Sequence, residues 1–86
     1  MKLESLAYYF FGMGATGTLQ VISHPSGAEV YINGKYSGKT PLTKTDLLVG
    51  RYELSVAKNR HRTEETVVVI REEQETKKEF RLEPEH

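Results

Sequence analysis

An all-β fold, of the sandwich or small-barrel kind, is predicted by three features of the 86-residue sequence. Apolar residues alternate with polar ones in short runs, the signature of half-buried strands. Glycine and proline turn signals separate those runs at roughly 8–12-residue intervals. No stretch keeps a helical period long enough to compete.

The first alternating run is Thr18 to Ser23, with Leu19 and Val21 on one face and Thr18 and Gln20 on the other. Pro25-Ser26-Gly27 then turns the chain, proline presetting φ and glycine accepting a positive φ. Ala28, Val30 and Ile32 line one face of the next strand, while Glu29 and Tyr31 face away. Asn33-Gly34 is the dipeptide best suited to a type I′ hairpin, whose two central residues both need positive φ. A short return strand, Lys35-Tyr36-Ser37, ends at Gly38. Thr40-Pro41-Leu42 reads as a crossing at a sheet edge, because proline removes a ladder donor.

Thr45 to Gly50 is expected to be a connector turning at Gly50. Tyr52, Leu54 and Val56 alternate with Glu53, Ser55 and Ala57, and a polar loop follows from Lys58 to Thr63. Thr66-Val67-Val68-Val69-Ile70 is apolar at every position but the first, as in a strand covered on both faces. Arg71 to Gln74 turns again, and Thr76 to Leu82 closes the domain with Lys77, Glu79 and Arg81 outward. The expected core is Leu19, Val21, Val30, Ile32, Leu42, Leu47, Tyr52, Leu54, Val56, Val67, Val69, Phe80 and Leu82.

A chain of this length makes one compact domain with a thin core and little room for a buried cleft. Cysteine is absent, which removes disulfides and thiolate chemistry together. Lys+Arg and Asp+Glu are equal at 12 each, so no net basic field draws nucleic acid. Lys35 to Arg62 is mostly basic and Glu64 to Glu85 mostly acidic, a contrast read as solvated faces. No apolar run reaches the roughly 18 residues of a membrane span. The apolar stretch Leu6 to Ala15 has three readings: an extra strand packed on the domain, the end of a membrane helix, or a partner-facing segment. Packing is favoured, and in the second reading Tyr8, Tyr9, Phe10 and Phe11 would contact a lipid headgroup layer.

Candidate chemistry is sparse. Gly34 to Thr40 looks like a phosphate loop, but Asn33 stands where the first glycine belongs and Pro41 blocks the helix that must follow. His24, His61 and His86 are scattered, whereas zinc needs several converging ligands. Ser23-His24, and Thr63 near His61, hold the letters of a hydrolase without an oxyanion turn. Glu64-Glu65 and Glu72-Glu73 are sequence neighbours and point apart, unlike the facing carboxyls of a glycosidase. Tyr31, Lys35, Tyr36, Lys39 and Lys44 form the candidate interaction surface, with Tyr31 and Tyr36 paired across the Asn33-Gly34 turn. No catalytic residue, metal ligand or cofactor site is expected.

The order Gly17-Thr18-Leu19-Gln20-Val21, Pro25-Ser26-Gly27-Ala28-Glu29-Val30-Tyr31-Ile32-Asn33-Gly34, Gly38-Lys39-Thr40-Pro41-Leu42 and Gly50-Arg51-Tyr52 resembles the PEGA domain family. Ser26 stands where glutamate gives that family its name. Arg60-His61 replaces the family's Gly-Tyr, which leaves the turn from Lys58 to Thr63 to be determined. The resemblance implies a small antiparallel two-sheet β-sandwich, transthyretin-like or immunoglobulin-like, over residues 17–84. Residues 1–16 would be an apolar segment or linker and 85–86 a tail. It further implies a non-catalytic, extracytoplasmic accessory module of a cell-envelope or surface-layer protein. Such a module would associate with a protein or envelope glycan, or act as a structural spacer. The alternative is a polyanion- or nucleic-acid-binding module using the Lys35 to Lys44 patch.

Overall fold

The computed structural model describes residues 14–85. Seven strands follow in order: β1 (Thr16–His24), β2 (Glu29–Ile32), β3 (Lys35–Lys39), β4 (Leu42–Leu48), β5 (Gly50–Ala57), β6 (Glu64–Ile70) and β7 (Glu75–Arg81). They form a three-stranded sheet, β4-β1-β7, facing a four-stranded sheet, β3-β2-β5-β6. Every pair is antiparallel except β1 and β7, which run parallel from Thr18 opposite Glu75 to His24 opposite Arg81. Parallel neighbours cannot be joined by a hairpin. The chain therefore visits the other sheet between them.

Period-two burial builds the core. Leu19, Val21 and Ser23 of β1 face inward, as do Val30 and Ile32 of β2 and Leu54 and Val56 of β5. Ala28 and Leu82 close the buried cluster, and Leu42, Leu47, Tyr52 and Phe80 pack against it partly buried. Asn33 (φ 52°) and Gly34 (φ 79°) both take positive φ between the paired Ile32 and Lys35, the expected two-residue hairpin. Asn33 also prolongs the β2–β5 ladder beyond Ile32. Its N–H donates to Glu53 O at 2.8 Å, and its Oδ1 accepts from Glu53 N at 2.8 Å.

Two expectations need correction. The Thr45 to Gly50 connector belongs mostly to β4, which pairs antiparallel with β1 from Leu42 opposite Val21 to Leu48 opposite Thr16. A β-bulge hid this strand. Thr45 and Asp46 together oppose Thr18, and Asp46 takes φ 60°, so the alternation shifts phase midway.

The second correction concerns β6, which is covered on one face only. Val68 and Ile70 are buried, whereas Val67 and Val69 are 39% and 45% exposed. Pairing decides it: Val67 stands opposite Glu53 and Val69 opposite Arg51, both on the outer face of β5. An unbroken apolar run carries no parity of its own.

The polar loop after β5 turns through Arg60, whose φ of 65° is one that glycine adopts freely and arginine does not. The C-terminal stretch secures this turn. Arg62 N donates to Glu83 O at 2.8 Å and Glu85 N to Arg60 O at 2.7 Å.

The inward and outward valines of β6 should differ in their contribution to stability. Val68→Ala removes two buried methyl groups and should cost about 2 kcal/mol in denaturant unfolding. Val67→Ala should cost under about 1 kcal/mol. Equal losses at the two positions would contradict the register.

Candidate interaction surface

The five candidate residues divide between two surfaces. Tyr31 and Tyr36 face each other across β2 and β3, their ring centroids 5.8 Å apart and their planes at 64°. This edge-to-face pair lies on the outer side of the four-stranded sheet, and Tyr36 is 52% exposed. Lys39, opposite Glu29, shares that side. Lys35 and Lys44 line a groove between the β3 and β4 edges, together with Ile32, Leu47 and Tyr52, and Tyr36 at the sheet edge borders this groove as well. The bulge at Ser37 helps to separate them. Tyr31 pairs with Tyr36 and Val30 with Gly38, leaving one extra residue in β3. The Lys35 to Lys44 stretch is thus not one basic patch.

Acidic groups share the outer side. Tyr31 Oη donates to Glu29 Oε1 at 3.2 Å. That hydrogen bond, and then the negative charge of Glu29, raise the phenol above the usual tyrosine range. Beyond Tyr31 the sheet is concave, enclosing about 480 Å³ lined by Tyr31, Glu53, Ser55, Glu65, Thr66 and Val67. None of the last five is among the residues expected at the interaction surface: Glu65 draws notice in the sequence only as a carboxylate beside Glu64, and Val67 is placed in the expected core. Glu53, Ser55, Glu65 and Val67 share this face by their odd positions on β5 and β6, which needs the register to be read, whereas Thr66, opposite the buried Leu54, has the inward parity.

Where a hydrolase would need a free nucleophile, the geometry supplies a structural linkage. Ser23 is 2% exposed and points into the sandwich, while His24, the next residue along β1, points out. Ser23 Oγ donates to Pro25 O at 2.7 Å and lies 2.6 Å from Thr40 Oγ1. The serine has one proton and spends it on Pro25, so Thr40 must donate to Ser23. Thr40 Oγ1 then accepts from Ala28 N at 2.9 Å. A directed chain results, from Ala28 N–H through Thr40 and Ser23 to the Pro25 carbonyl. Backbone bonds frame it, Gly27 N to Thr40 O at 3.0 Å and Thr40 N to Ala28 O at 2.8 Å. His24 Nε2 meets Glu79 Oε2 of β7 at 2.7 Å, on the opposite side of β1 from the Ser23 hydroxyl. His61 Nδ1 meets the Asn59 carbonyl at 2.9 Å. Among the described residues no group of three His, Asp or Glu side chains converges as metal ligands.

The family model described as "PEGA domain" matches residues 16–86, most of the chain. The chain belongs to the PEGA domain family. A comparison with curated proteins finds no match. Within this PEGA domain, the turn at Pro25-Ser26-Gly27-Ala28 and the crossing at Gly38-Lys39-Thr40-Pro41 are the two segments joined by the hydroxyl chain. The two motifs that carried the resemblance are therefore one structural unit. Gly38 is required there by geometry: its φ is 138°, and a Cβ would lie 2.9 Å from Leu42 Cδ1. Residues 1–13, including Tyr8 to Phe11, lie outside the described residues.

Thr40→Val should destabilise the domain by about 1–3 kcal/mol, because it strands the buried Ala28 N–H and removes Ser23's donor. Ser23→Ala should cost less, since it takes the acceptor from the Thr40 hydroxyl but leaves the Ala28 N–H bonded to Thr40 Oγ1. Thermal unfolding of both variants checks the order; a harmless Thr40→Val would dismiss the chain of bonds. The Tyr31 phenol gives a pH test. Its folded value is raised, so this contribution to stability is complete below the ordinary tyrosine range and disappears as pH rises through the folded value. Phenolate absorbance, with Tyr31→Phe as the subtraction control, should show Tyr31 titrating at lower pH in Glu29→Ala than in the unaltered chain.

Proposed function

We propose that this PEGA domain is a non-catalytic accessory module of a cell-envelope or surface protein, working outside the cytoplasm. In this reading it associates with a protein or an envelope glycan through the outer face of the four-stranded sheet. The observation that carries the reading is the Tyr31–Tyr36 pair beside a concave face whose outward side chains include Ser55, Glu53 and Glu65. Aromatic rings with polar tips supply contact area at little entropic cost, and hydroxyls and carboxylates around them fix orientation. The buried hydroxyls of Ser23 and Thr40 are committed to structure and cannot reach a substrate.

The polyanion reading draws less support from the fold. Lys35 and Lys44 line one groove, Lys39 lies on another face, and Glu29, Glu53 and Glu65 share the side that holds the tyrosines. A chain of phosphates meeting that face would encounter carboxylates as often as amines.

Chemical-shift titration with envelope glycans and candidate envelope proteins tests the association. Amide shifts should concentrate at Tyr31, Tyr36, Ser55 and Thr66, and Tyr31→Ala with Tyr36→Ala should weaken binding at least about tenfold, the scale of an aromatic anchor. Silence across both ligand classes would leave the domain as a spacer. Binding that maps to Lys35 and Lys44 and collapses with salt would favour the polyanion reading instead.

A further inference from the structure

We propose that β6 is a self-pairing edge, along which two copies of this chain join their four-stranded sheets antiparallel about Val68. Among the described residues four strands end the two sheets, and three of them carry features that discourage further pairing. β3 has the Ser37 bulge with Lys35 and Lys39. β4 follows Pro41 and bulges at Asp46. β7 is lined with Glu75, Lys77, Lys78, Glu79 and Arg81. Of the four, β6 alone combines the absence of a bulge and of proline with a run, Thr66, Val67, Val68, Val69 and Ile70, that no lysine interrupts.

The exposed face of this edge is complementary to itself. Glu65, Val67 and Val69 share the outer side of β6, and the exposed Arg71 follows its end at the start of the next turn, where its carbonyl accepts from Gln74 N at 3.3 Å. Antiparallel pairing about Val68 sets Val67 of each copy opposite Val69 of the other, and Glu65 opposite Arg71. Two valine pairs are then flanked by two pairs of opposite charge, all on one face. Neither Glu65 nor Arg71 has an ion-pair partner among the described residues. The backbone parity agrees. Val69 O turns away from β5 towards Thr76, whose hydroxyl reaches it over a long 3.4 Å. By the two-residue repeat, the free N–H and C=O groups of Glu65 and Val67 point the same way. Shifting the register by one residue would set inward side chains opposite outward ones, so the pairing admits only registers of matching parity. Of those, centring on Val68 brings the opposite charges together.

The self-pairing rests on the association reading and names one partner for it, at an edge that shares Glu65 and Val67 with the concave face. An edge joined by one strand pair is smaller than the roughly 1,200 Å² of stable complexes, so the dimer should be weak, with Kd in the micromolar to millimolar range. Sedimentation of the full chain across concentrations up to about 1 mM should show reversible dimerisation. Val67→Lys should abolish it. Glu65→Arg alone and Arg71→Glu alone should each raise Kd about tenfold, and the double exchange should restore it, because like charges placed opposite one another are repelled. Circular dichroism of each variant verifies that the monomer stays folded. A chain that stays monomeric throughout overturns the self-pairing, while leaving association with other partners to the glycan and protein titration. A dimer unaffected by Val67→Lys or by the single charge reversals overturns it equally.

Discussion

The architecture depends on a buried relay of two hydroxyls. Ser23 ends the inward face of β1 in one sheet, Ala28 immediately precedes β2 of the opposite sheet, and Thr40 stands where the chain crosses back. At 2% and 5% exposure, neither hydroxyl can be satisfied by bulk water. Each must therefore be satisfied by the other, by a backbone N–H and by a carbonyl, which they are. Among the described residues no buried side-chain nitrogen or oxygen lacks a partner. In a domain with so thin a core, this relay gives the two sheets a specific meeting point that apolar contacts alone would leave adjustable. Directional bonds define one arrangement; hydrophobic burial accepts several.

Once that corner is set, the placement of the surface follows. The crossing at Thr40 directs β3 to the edge of one sheet and β4 to the edge of the other, with the Lys35 and Lys44 groove between them. The hairpin before it holds Tyr31 against Tyr36, and Asn33 ties the hairpin to β5 through two bonds to Glu53. The concave outer face is thus built on strands whose register is determined from the core side. Rigid strands hold its side chains more closely than a loop would, which suits a recognition surface.

Much of the fold was legible in the residue order because turn chemistry is local. Asn33-Gly34 needs two positive φ values, and that requirement is met wherever the pair occurs between alternating strands. The inward sets Leu19 and Val21, Val30 and Ile32, and Leu54 and Val56 were equally plain, since each alternates with polar neighbours. β4 was missed because a bulge at Asp46 broke the alternation that marks a strand. The valines of β6 were assigned to the wrong side because an unbroken apolar run lacks the polar residues that reveal parity. The candidate surface was legible only in part: the tyrosine pair followed from the hairpin, while the separation of Lys35 and Lys44 from Lys39 depended on a bulge.

The residue order by itself determined the all-β class, the hairpin, the proline and glycine corners and the family, because each rests on conformational preferences within a few neighbouring residues. Only the tertiary structure decided that β7 runs parallel beside β1, that Ser23 and Thr40 meet, and which face of β6 is left open. Those outcomes depend on contacts between residues far apart in sequence, where pairing register, rather than local preference, sets which side chain faces which.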